Sequence, residues 1–94
     1  MVVNTSVVNK IRKRYDVYIG RGGPWGNPFR IGRDGTRAEV IAKYRVWIKS
    51  DDRVAVALLN NLHMLQGKVL GCFCAPLSCH GDVLAELADR EGTL

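Results

Sequence analysis

The sequence predicts an α/β protein: a small single-domain sandwich, residues 1–94, in which about three helices flank a mixed, partly parallel sheet. Three observations predict it. Short β-branched and aromatic runs are interleaved with amphipathic stretches in the order strand, strand, helix, helix, strand, helix. The run KVLGCFC, Lys68 to Cys74, is apolar on both faces, as a central strand covered on both sides must be. A chain of 94 residues has room for one core, burying roughly 60–65% of the surface its unfolded form exposes.

Val7-Val8-Asn9 and Tyr15 to Ile19 read as the first two strands. Between them Lys10-Ile11-Arg12-Lys13-Arg14 is too basic to bury and reads as an exposed turn. Gly20 to Phe29, GRGGPWGNPF, holds four glycines and two prolines and is excluded from helix and central strand alike. Thr36 followed by Glu39 is a capping box, and the helix it opens aligns Val40, Ile41, Tyr44, Trp47 and Ile48. That spacing makes Tyr44 and Trp47 core residues rather than cofactor contacts, and puts Arg37, Lys43, Arg45 and Lys49 off the stripe or at its margin. Ser50-Asp51-Asp52 stops this helix and caps a second, running to about Leu62 with Ala55, Leu58, Leu59 and Leu62 inward. Gln66-Gly67 breaks the chain before the central strand, and Ala75-Pro76-Leu77 turns it afterwards. A last helix carries His80, Val83, Leu84, Leu87 and Ala88 on one face. There are no internal repeats.

Composition narrows the function. With 47% apolar and 24% charged residues the chain is an ordinary globular one. No apolar run approaches the roughly 18 residues that span a bilayer. Met1 to Ser6 lacks the basic start and apolar stretch of a signal peptide, so a cytoplasmic setting without a membrane partner is expected. Three cysteines in eight residues, in a reducing compartment, are ligands, reactive groups or small core residues rather than a disulfide framework. The net charge of +5 is unevenly spread: residues 1–49 carry eleven cations against three acids, and residues 50–94 carry three against six. A basic half suits an anionic partner or, more plainly, a solvated surface.

Two loops carry candidate chemistry. Cys72-Phe73-Cys74-Ala75-Pro76-Leu77-Ser78-Cys79-His80-Gly81-Asp82 leaves the C-terminal end of the central strand and enters a helix. Ligands of open α/β sheets bind at that edge, and helix-start amides there favour negative charge. Cys79 in the first turn would have its thiolate stabilised, and His80 beside it titrates near neutrality. Three readings stand together. Cys79, His80 and Asp82 form a reactive or ligand-contacting group, with Ser78 and Gly81 in the ligand grip. Alternatively Cys72, Cys74, Cys79 and His80 hold zinc, although this spacing matches no usual zinc pattern. In the third, these are simply core residues. The Gly-rich loop is neither a P-loop nor a dinucleotide fingerprint. It offers close backbone approach at Gly22 and Gly26, polar groups at Arg21, Asn27 and Arg30, and a stacking face at Trp25. The plain alternative packs Trp25 and Phe29 into the core.

Together GRGGPWGNPF and GCFCAPLSCHGD resemble a small, functionally uncharacterised domain family of bacteria and their phages, marked by a GNPF-type and a CxCxPxxCHGD-type motif. The resemblance runs from Val7 to Asp89 and includes IGRDGTRAEVIAKY; Phe73 stands where members more often have Trp. It implies a phage or bacterial protein of the cytoplasm (the host's, if phage-encoded) and no activity. It directs attention to Gly26, Asn27, Pro28, Phe29, Cys72, Cys74, Pro76, Cys79, His80, Gly81 and Asp82. The functional expectation is a nucleotide-like or otherwise anionic small molecule held between the two loops, with turnover left open. A zinc-stapled nucleic-acid-binding module is the alternative, and a phage protein that binds a host protein is the third.

Overall fold

The computed structural model describes residues 4–75 and 77–92. Pro76, placed above in the turn after the central strand, lies outside the described residues, as do Met1 to Val3, read above for a leader.

The sheet is built around its last strand. β1 (Ser6–Asn9) and β2 (Val17–Tyr18) flank β3 (Val69–Cys72), and both pairings are parallel where a partly parallel sheet was expected. β1 and β2 are neighbours in sequence yet lie on opposite sides of β3, so Lys10 to Asp16 must cross the sheet without a helix. Leu70 and Cys72 are fully buried on the core face, which turns Gly71 to the outer face. There Tyr15 passes so close that a Cβ on Gly71 would lie 2.5 Å from its ring. This crossing explains why the strand expected over Tyr15 to Ile19 shortens to two residues. Ladder-like bonds still extend past its ends, from Asp16 N to the Val69 carbonyl (2.7 Å) and from Ile19 N to the Gly71 carbonyl (3.0 Å).

The helices form the second layer. α1 (Arg37–Ile48) begins at the expected capping box: Thr36 Oγ1 accepts from Glu39 N, and the Glu39 carboxylate accepts from Thr36 N. It buries Val40, Tyr44 and Ile48, with Ile41 and Trp47 packed against the same core. α2 (Arg53–Asn60) is capped by Asp52 and passes into a 3-10 turn, Leu62–Leu65, so the second helix tightens where it was expected to end. α3 (His80–Gly92) buries Val83, Leu84, Leu87 and Ala88 and lies against β1, β3 and α1. Truncating a wholly buried side chain such as Leu84 to alanine costs about 2–5 kcal/mol. No helix among the described residues is long and apolar enough to cross a membrane.

Candidate functional site

Three connections meet at the C-terminal edge of the sheet. The basic turn after β1 is bound there by Lys10 N, which donates to the Cys72 carbonyl (2.9 Å), and by the Asn9 amide, which donates to the carbonyls of Phe73 (3.3 Å) and Ala75 (3.1 Å). The Gly-rich loop is held by Asn27. Its side-chain oxygen accepts from Phe29 N (2.9 Å) and its amide donates to the Val40 carbonyl (3.3 Å), which fixes the turn ahead of Pro28 against α1. The third connection enters α3 under Gly81, where an added Cβ would meet Ile19 Cδ1 at 2.5 Å and Val7 Cγ1 at 3.1 Å.

The three residues expected to carry chemistry are already engaged in holding this edge. Cys79 occupies the cap position of α3: its sulfur accepts from Gly81 N (3.3 Å), and its own N–H donates to the Asp82 carboxylate (3.1 Å). The first-turn amides of Cys79 and Gly81, expected to grip an anion, are therefore satisfied from within. The thiol is 3% exposed and its sulfur lies 3.4 Å from Cys72 Sγ. Burial first, and then the Cys72 sulfur, push the Cys79 thiol up to about 12, outweighing the Gly81 N–H. This reverses the expectation of a stabilised thiolate. His80 is buried, and its Nε2 lies 2.7 Å from the Ile19 carbonyl. A carbonyl only accepts, so Nε2 carries the proton. Burial lowers the imidazole below its usual value, partly opposed by the carbonyls of Ile19 and Trp25. Its ring stands edge-on to Tyr44, 5.0 Å between centroids.

Between the connections lies a cavity of about 130 Å3. Of the residues singled out from sequence, Arg21, Asn27, Ser78, Cys79 and His80 line it, with Cys72 and Cys74. Gly22, Trp25, Gly26, Arg30, Gly81 and Asp82 are not among its walls. Trp25 is 7% exposed within the core and its carbonyl accepts from Tyr44 Oη (3.3 Å), so its ring offers no stacking face to a ligand. Arg30 is exposed, and Asp82 is exposed apart from its bond to Cys79 N.

Phe29, to which the resemblance directs attention, is also a wall, and the sequence did not mark Gly20, Ile31, Val40, Ile41, Phe73 and, most usefully, Arg37 as site residues. Arg37 reaches from the start of α1 and donates to the Ser78 carbonyl (2.9 Å), closing α1 onto the third connection. A signal was present. A cation in the first turn of a helix opposes the helix dipole and wants another reason to be there. A second unread feature is the Lys10 ammonium, 4.7 Å from the ring centroids of both Tyr18 and Phe73.

The zinc set is not assembled. Among the described residues no group of three or more His, Cys, Asp or Glu side chains is placed to hold a metal ion, and His80 Nε2 faces the Ile19 carbonyl instead of the sulfurs. His63, exposed on the 3-10 turn, stands outside the site.

A family model described as a domain of unknown function, DUF4326, matches residues 3–90. The chain is also 36% identical, over 85 residues, to an "uncharacterized 12.4 kDa protein in nrdA-td intergenic region" of Enterobacteria phage T4. That match covers 89% of this chain and 77% of the phage protein. No solved structure matches the chain.

Proposed function

The chain belongs to the DUF4326 family, and from the geometry of its own site we propose that it binds an anionic small molecule with a flat ring, of the nucleotide class, in the cytoplasm. The observation that carries this reading is the cavity at the sheet's C-terminal edge, mainly apolar inside, with Arg21 and Arg37 among its walls. Its volume, about 130 Å3, suits a single ring: an apolar cavity of about 150 Å3 accommodates benzene. A ring enters between Phe29, Val40 and Ile41 on one side and Phe73 and Cys74 on the other. The charge stays outside. Arginine recognises phosphate or carboxylate through paired N–H groups, and Arg21 has no acidic partner among the described residues. Because the amides of Cys79 and Gly81 are satisfied by the Asp82 carboxylate and the Cys79 sulfur, the arginines take over the anion grip.

The same arrangement favours binding over turnover. A thiol pushed up to about 12, a neutral buried imidazole on a backbone carbonyl and a helix-capping carboxylate are all occupied in structure. The test is a thermal shift titration with nucleoside monophosphates, the matching nucleosides and inorganic phosphate. Monophosphates at a hundred times their Kd stabilise by about 2.7 kcal/mol, nucleosides and phosphate less. Arg21→Ala weakens the monophosphate about tenfold, the loss of one charge-assisted hydrogen bond. Melting temperatures unmoved by every monophosphate at millimolar concentration would sink the reading.

A further inference from the structure

We infer that the ring received by the cavity belongs to a single-stranded nucleic acid, whose phosphates run along the basic turn between β1 and β2. The inference rests on the reading above that the cavity takes a ring, and it names the larger molecule carrying that ring. Three observations lead to it.

The basic turn is hydrogen-bonded to the cavity's wall, although none of its own residues lines the cavity. Arg12 N and Lys13 N donate back to the Asn9 carbonyl (3.1 and 3.0 Å), folding the turn at the C-terminal end of β1. Asn9 and Lys10 in turn are bonded to Phe73 and Cys72, two residues of the cavity wall.

The cations here exceed what one phosphate needs. Lys10, Arg12, Lys13, Arg14 and Arg21 all belong to this edge or the turn bound to it. Among the described residues the ion pairs are Arg33–Asp34, Arg45–Glu86 and Arg90–Glu86, which leave these five without a carboxylate. The acids nearby are engaged with backbone, Asp16 with Val69 N (2.8 Å) and Asp82 with Cys79 N. A group of cations without an ion-paired carboxylate among the described residues fits a run of phosphates.

Aromatic surface accompanies the charge. Phe73 lines the cavity and is still 54% exposed, and Lys10 is held against it and Tyr18. Stacking faces interleaved with cations are how single strands are bound without a fixed sequence. A base inserted into the cavity must also be free of its pair, which selects a single strand over a duplex.

Fluorescence anisotropy with a short labelled single-stranded oligonucleotide tests this beside the monophosphate titration. The strand binds at least tenfold more tightly than the monophosphate and more tightly than the same sequence as a duplex. Its affinity falls with salt at about −0.7 in log K per log[salt] for each phosphate neutralised. The exposed triple variant Arg12→Ala, Lys13→Ala, Arg14→Ala makes that slope shallower by about two and weakens the strand, with monophosphate affinity unchanged. A strand bound no better than the monophosphate, a duplex bound equally well, or a triple variant that binds the strand like the parent protein would each overturn the inference. In those cases continued monophosphate binding leaves the pocket reading intact; failure of both probes removes both.

Discussion

His80 Nε2 donates to the Ile19 carbonyl while the ring packs edge-on against Tyr44, so one side chain ties the start of α3 to the end of β2 and to α1. Burial favours the neutral ring over the imidazolium, against the opposing pull of the Ile19 and Trp25 carbonyls. The linkage sign follows. The folded-state value lies below the free value of 6.5, so the unfolded chain takes up a proton first as the pH falls. The histidine's contribution is fully present above about 6.5 and is lost as the pH drops from there through the folded-state value. Melting temperature therefore declines from pH 7.5 to 5.5 in the parent protein. In His80→Gln the starting stability is lower and that part of the decline flattens; an identical slope in the two proteins contradicts the assignment. That a histidine and a thiol meet at the start of α3 was legible from the CHGD segment. Their condition was not, because burial and carbonyl partners come from Ile19 and Trp25, remote in sequence.

At the level of elements, the start of α3 depends on an inversion of ordinary helix preference. Alanine is favoured over glycine in a helix by up to about 1 kcal/mol, yet a Cβ at Gly81 runs into Ile19 and Val7. Gly81→Ala is expected to destabilise by about 1–3 kcal/mol, the usual cost of overpacking. Chemical denaturation measures it, and adding Ile19→Val, which removes the clashing Cδ1, restores part of the loss. A stabilising Gly81→Ala would show that the entry to α3 has space to spare. Helices were the most legible elements, since Thr36, Asp52 and the apolar spacing of α1 and α3 act locally. Strand lengths were not. Tyr15, Phe73 and Cys74 look like strand residues by type, but the crossing over Gly71 and the exit to α3 withdraw them from the ladder. Arg37 was not legible as a site residue for the same reason, its partner Ser78 being remote in sequence.

Across the whole molecule, helices cover one face of the sheet, and over the other the crossing segment places Tyr15 on Gly71. The three thiols divide accordingly. All three border the cavity, but Cys72 and Cys79 are buried in the core, whereas Cys74 is only half-buried. A thiol-specific disulfide reagent should label Cys74 in the native protein. Cys72 and Cys79 should follow together, at a rate set by opening of the core and accelerated by urea. Equal native labelling of all three would mean that the core is not closed around this pair. The α/β class and the edge where both loops meet were legible from element order alone, as was the basic character of the N-terminal half. The cavity itself was not, since Ile31, Val40 and Ile41 become a wall only once folding brings them to Cys72, Phe73 and Cys74. One consequence of the strand order concerns synthesis. The two outer strands emerge from the ribosome close together and ahead of their partner, since in the sheet each pairs only with the segment that begins at Val69. No ladder can close until synthesis has passed β3, so β1 and β2 stay unpaired while the 50 residues from Ile19 to Lys68 are made. Assembly then waits for the late arrival of the middle strand between them, a long-range closure of the kind that slows folding.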